Sequence, residues 1–157
     1  MNKLTNAYNK EHMALVRGRE IPISTKFSIE ICKQIKNKAI KNAKRMLEGA
    51  VNKTEAISFV RYTMDLGHKR GGKGPGRYPL KASKHFLKML NSLEANAADK
   101  GLDTNKLIIC HASASLGKRN QHPGRHSGTF FKSTNLELRA KELEKKEETK
   151  KWLKDKS

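Results

Sequence analysis

The apolar positions of this chain fall into three helical stripes and one long alternating segment. Ile21-Pro22-Ile23 closes an extended stretch that begins near Met13, and Ser24 or Thr25 then offers a hydroxyl able to cap exposed helix amides. Phe27, Ile31 and Ile35 recur every fourth position, which predicts a helix with one buried face and with Lys33, Lys36 and Lys38 turned mostly away. Ile40, Ala43, Leu47 and Ala50 repeat the pattern in a second, short helix. Ala56 to Tyr62 alternates loosely and reads as extended. Gly71-Gly72-Lys73-Gly74-Pro75-Gly76 has too much backbone freedom for regular structure and reads as a loop. Pro79 sits where a third helix should begin and Gly101 where it should end in a left-handed conformation. Between them Ala82, Phe86, Leu90, Leu93 and Ala97 form an apolar stripe, and Lys81, Lys84 and Lys88 form a basic one.

Leu107-Ile108-Ile109-Cys110 is apolar on both faces, after which Cys110, Ala112, Ala114 and Leu116 alternate with His111, Ser113 and Ser115. Leu136, Leu138 and Ala140, alternating with Glu137 and Arg139, supply a partner strand. Pairing the two apolar ends puts the turn near Pro123-Gly124, so residues 107–140 read as one antiparallel hairpin. Its arms extend about 12 residues beyond the apolar base, or roughly 40 Å at ~3.3 Å per residue. An isolated two-stranded ribbon is marginal in water, so this one is expected to insert into a partner. The tail, 141–157, carries Glu142/Lys146 and Glu147/Lys151 at helical spacing and is expected to be a solvated helix. The fold class is therefore α+β: a small domain of three helices packed on an antiparallel sheet, with a long protruding β-hairpin, over residues 1–157 as a single unit. A chain of this length buries roughly two thirds of its unfolded surface, enough for one core.

Composition turns this fold towards a polyanion. The 157 residues carry 34 Lys+Arg against 15 Asp+Glu, a formal charge of +19. Unpaired like charge destabilises a compact state, so such a surplus calls for neutralisation by a partner. Nucleic acid fits first, since each phosphate contact releases counterions. An anionic membrane fits less well: no run approaches the ~20 apolar residues a span requires, and Met1 to Lys10 has no apolar signal core. Cys32 and Cys110 lack any Cys-x-x-Cys spacing and are expected as reduced cytosolic thiols.

The charge is not spread evenly. Lys69, Arg70, Lys73, Arg77, Lys81, Lys84 and Lys88 lie on the glycine loop and third helix in the acid-free stretch 66–93. Lys106, Lys118, Arg119, Arg125 and Lys132 lie in a second acid-free stretch, 104–136. There Lys118, Arg119 and Arg125 cluster with His122 and His126 beside Gly117, Gly124 and Gly128, whose missing side chains allow close approach to a phosphate or base. Arginine both stacks on bases and bridges phosphates, which suits folded RNA. All of these except Lys106 are the expected RNA-binding residues.

Catalytic readings fail on residue type. Gly67, four residues, Gly72 and Lys73 approximate a phosphate-binding loop, but Gly74 replaces the Ser or Thr that would ligate magnesium, and Pro75 interrupts the following helix. Cys110 and His111, adjacent on a strand, point to opposite faces, which argues against zinc. Neither loop has a carboxylate for general-base or metal-dependent chemistry. The expectation is a protein that is not an enzyme and needs no cofactor or metal.

Several segments together resemble a known family. Leu66-Gly67-His68-Lys69-Arg70, Gly76-Arg77-Tyr78-Pro79 with Lys81-Ala82-Ser83, Ala95-Asn96-Ala97 and Lys100-Gly101-Leu102, followed by a long hairpin, resemble the twenty-second large-subunit ribosomal protein family in its archaeal and eukaryotic form. The likeness spans roughly residues 10 to 141. It implies a cytoplasmic protein on the outer surface of the large ribosomal subunit, bound to its rRNA and to neighbouring ribosomal proteins. It further implies support of subunit assembly and a hairpin reaching inward to line the nascent-peptide exit tunnel, with Lys118 to Arg125 as the tip region. The family usually shows Pro-Arg-Ala with Gly-Arg shortly after. This chain has Pro123-Gly124-Arg125-His126-Ser127-Gly128-Thr129 and lacks the second Arg. A free regulatory RNA-binding protein and a nucleic-acid enzyme are the competing classes.

Overall fold

The elements run β1 (Met13–Ile21), α1 (Thr25–Ile35), α2 (Ile40–Val51), β2 (Ile57–Ser58), β3 (Gly76–Arg77), α3 (Leu80–Ala98), a 3-10 turn (Thr104–Lys106), β4 (Leu107–Leu116) and β5 (Thr134–Glu142). The structure, a computed structural model, describes residues 12–71, 74–125 and 128–142. It is the expected α+β fold of three helices against an antiparallel sheet.

The sheet order is β1-β5-β4, with both pairings antiparallel. The hairpin strands are therefore two thirds of a sheet whose other edge is the amino-terminal extended stretch, paired to β5 from Met13↔Lys141 to Ile21↔Thr134. The alternation of β5 holds throughout: Leu136, Leu138 and Ala140 are buried against the helices. That strand continues through Lys141 and Glu142, so the tail is not helical from its first residue; the rest of it, 143–157, lies outside the described residues, as does the amino end, 1–11.

The phase of β4 differs from the simple alternation. Ile109 pairs with Ala140 but His111 pairs with Arg139, so Cys110 is an extra residue on that strand. This bulge moves the core-facing set from Leu107 and Ile109 to Ala112 and Ala114. A run apolar on both faces is thus what a strand needs when its inward face changes parity partway. The pairing of Leu107 with Glu142 sets the turn slightly beyond Pro123-Gly124: Gln121 bridges Phe130 and the His122 amide donates to the Thr129 carbonyl, which puts Arg125 near the middle.

The helices follow their stripes closely. Ala82, Phe86, Leu90, Leu93 and Ala97 are all buried, and α3 packs on β1 and α2 while α1 packs on β4. Gly101, at φ +73°, ends α3: its amide donates to Ala98 and that of Leu102 to Ala97, the paired carbonyl capping that a left-handed residue permits. Pro79 is the residue before α3 rather than its first. The start of α1 departs more. Ser24 holds the capping position without bonding the first-turn amides, and the Thr25 hydroxyl is engaged instead with that of Thr134 at 2.8 Å. The capping expected of these hydroxyls is replaced by a tie to β5.

The glycine loop is more ordered at its root than its composition implies. Ile57 and Ser58 pair antiparallel with Arg77 and Gly76, and the Phe59 and Lys69 amides donate to Pro75 and Gly74. Gly76 fits the close approach of these strands: a Cβ there would lie 3.0 Å from the Ile57 carbonyl oxygen and would push on that backbone.

Candidate nucleic-acid interface

The folded chain sorts its cations into two sets. Arg17 and Arg139 both engage Glu137, Lys44 pairs with Glu94 at 2.6 Å, and Lys106 pairs with Asp103 at 2.8 Å. Lys106 therefore leaves the acid-free group: its partner lies just upstream of the stretch in which it was counted. Hydrogen bonding from Lys106 holds the Asp103 carboxyl below its usual range.

The second set is exposed and makes no ion pair with a described carboxylate. It includes Lys69, Arg70, Arg77, Lys81, Lys84, Lys88, Lys118, Arg119, Arg125 and Lys132, with His122 also exposed; Lys33, Lys36, Lys41, Arg45, Lys53 and Arg61 are exposed in the same way on α1, α2 and the segment that follows. Lys73 and His126 lie outside the described residues. On the loop, the Lys69 ammonium sits 5.9 Å from the Tyr78 ring centre and the Arg77 guanidinium 5.5 Å from that of Phe27. Aromatic faces thus orient cations without neutralising them. Along α3, Lys81, Lys84 and Lys88 share the outer side with His85, whose imidazole is held below its ordinary value of 6.5 by partial burial and then by Lys88 and Lys81.

The structure brings the two basic regions together at one place. Tyr78 to Ala82, at the start of α3, and His122 with Phe130 to Lys132, on the hairpin, line a common cleft that is completed by Pro22 to Ser24 and Phe27. Lys118 and Arg119 stand across the hairpin from Lys132 and Phe131, and Arg125 lies beyond them near the turn; none of the three lines the cleft.

Two features were not legible as functional. Glu30 is fully buried, and its carboxylate accepts the amides of Val60, Arg61 and Tyr62 at 3.2, 2.7 and 3.1 Å. It anchors the segment that leads into the glycine loop. Nothing in the α1 pattern marks it, since its partners come from thirty residues away. Phe130 and Phe131 are 44% and 48% exposed, and the available signal was two adjacent aromatics in an otherwise polar arm.

Other chemistry is sparse. Burial pushes the Cys32 thiol up to about 12, and burial also raises Cys110; both are free thiols. Among the described residues there is no cluster suited to a metal ion and no helix long and apolar enough to cross a membrane.

The family described as Ribosomal protein L22p/L17e matches residues 16–131, a span containing the first basic region, most of the second and every residue lining the cleft except Lys132. The chain belongs to this family. It is 40% identical over 148 residues to the large ribosomal subunit protein uL22 of Archaeoglobus fulgidus, covering 88% of this chain and 96% of the relative. The uL22 of Thermoplasma acidophilum is 39% identical over 130 residues, covering 80% and 85%. That of Nanoarchaeum equitans is 36% identical over 149 residues, covering 90% and 86%. Membership of the L22p/L17e family agrees with the resemblance carried by the loop and α3 motifs, and the relatives are of the archaeal type it indicated.

Proposed function

We propose that the chain is a structural, non-catalytic constituent of the large ribosomal subunit in the cytoplasm, folded as one domain, that binds large-subunit rRNA and neighbouring ribosomal proteins. The observation that carries this is family membership over most of the chain, with relatives themselves named as large-subunit proteins. The exposed cations of the loop, α3 and hairpin, together with Lys73 and His126, are the rRNA-binding residues in this reading. It is supported by their concentration in the acid-free stretches 66–93 and 104–136, whereas Arg17, Lys44, Lys106 and Arg139 have carboxylate partners. The β4–β5 hairpin extends from the sheet into rRNA, supports early assembly, and lines the nascent-peptide exit tunnel around Arg125.

Sedimentation tests the central claim: the protein should travel with large subunits at low salt, and its absence from them would refute the reading. Lys118→Ala, Arg119→Ala and Arg125→Ala together should weaken rRNA binding and reduce the slope of log affinity against log salt by about 2–3, since each lost phosphate contact removes roughly one released counterion. An unchanged slope refutes the hairpin assignment. Equal protease resistance of residues 116–131 in free and subunit-bound protein would count against insertion and favour a free regulatory RNA-binding protein.

A further inference from the structure

The cleft where the hairpin leaves the sheet holds about 510 Å³, within the ~300–1,000 Å³ range of sites that enclose a small ligand. Its walls combine two features that a solvated surface does not need together. One is aromatic: Phe27, Tyr78, Phe130 and Phe131 all contribute. Phe59 and Phe86 are buried in the core, so the exposure of Phe130 and Phe131 is peculiar to this place. The His122 ring covers part of Phe131, at 3.5 Å between centroids and tilted by 37°. The other feature is charge. Lys81 and Lys132 stand in the wall, no Asp or Glu lines it, and the amino ends of α1 and α3 open on it without an acidic residue in either first turn.

An apolar patch rimmed by one sign of charge marks a binding surface. A purely apolar protein segment would satisfy the rings but leave the lysines unmatched. An unstacked nucleotide satisfies both, its base lying on an aromatic face and its phosphate meeting the cations. We propose that this cleft captures a single nucleotide splayed out of large-subunit rRNA, with Phe130 and Phe131 as the stacking platform and Lys81 and Lys132 on its phosphate. This rests on the rRNA-binding reading above and adds to it a base-stacking site on the hairpin arm, beside the phosphate contacts of Lys118 and Arg119.

The test uses full-length protein and protein-free large-subunit rRNA. Phe130→Leu with Phe131→Leu keeps apolar bulk but removes the rings, and should weaken binding about 5- to 150-fold, the loss expected for one base–aromatic stack. The salt slope should not change, because no phosphate contact is removed. Phe130→Tyr with Phe131→Tyr should bind like wild type. Ultraviolet cross-linking of the wild-type complex should also place an adducted nucleotide on the peptide containing Phe130 and Phe131. Wild-type affinity in the leucine variant, or adducts confined to Lys118, Arg119 and Arg125, overturns the proposal. If the leucine variant binds naked rRNA normally but is lost from intact subunits, the occupant is a protein and the proposal is equally overturned. Failure of the wild-type chain to bind rRNA at all would instead bring down the reading on which it rests.

Discussion

Removing the buried carboxylate of Glu30 tests whether the basic glycine loop is held from below. Glu30 lies on α1 with no exposed surface, and its two oxygens accept three backbone amides at 2.7–3.2 Å. Glu30→Gln retains the oxygen that serves Arg61 and Tyr62 but turns an amide donor towards the Val60 N–H. One charge-assisted hydrogen bond is then lost, at about 1.5–3 kcal/mol. Glu30→Ala loses both acceptor oxygens and with them all three hydrogen bonds. Because Val60 is 57% exposed, the freed amides regain water in part, so the cost is about 3–5 kcal/mol rather than the full sum. At roughly 2–4 °C per kcal/mol for a chain of this size, the alanine variant should melt about 6–20 °C lower. Far-UV circular dichroism during heating, checked by urea unfolding, measures this. Glu48→Gln, an exposed site on α2, serves as control and should stay within about 0.5 kcal/mol of wild type. A glutamine variant as stable as wild type, or alanine no worse than glutamine, would refute the view that Glu30 anchors the loop.

Three further outcomes follow from the packing and the titrating groups. Phe86→Ala, at a fully buried position on α3, should destabilise the free protein by ~3–5 kcal/mol, and a melting curve that barely moves would refute its place in the core. His85 is held below 6.5 by partial burial, Lys88 and Lys81, so its folded pKa is depressed; the stability it contributes is complete above 6.5 and is lost as pH falls through the folded value. Phosphate bound at Lys81 and Lys88 should offset the part of that shift due to the two lysines, so rRNA affinity should rise as pH falls below 6.5 and lose that part of its pH dependence in His85→Asn. Glu137 is opposed by desolvation but held below its ordinary value of 4.5 by Arg139 and Arg17, so its contribution is present above 4.5 and lost as pH falls through the lower folded value. Glu137→Gln should flatten acid unfolding in that window.

Much of this protein is local, and the local part was readable in the chain itself. The stripe Ala82–Phe86–Leu90–Leu93–Ala97 is buried because side chains three and four apart share a helix face wherever the helix packs. Gly101 ends α3 because a left-handed residue with no Cβ satisfies two orphan carbonyls. The excess of unmatched cations between residues 66 and 132 is also a property of the chain, and it pointed to a polyanion before any contact was known. Non-local pairing decided the rest. Periodicity did not place β1 beside β5, and it could not show that a bulge at Cys110 would switch the inward face of β4 from odd to even residues, because a ladder's register depends on both strands. Nor could it show Glu30 meeting amides thirty residues away. The cleft likewise exists only because the fold brings Phe27, Tyr78 and Phe131 together, residues whose separation along the chain hides that they share one wall.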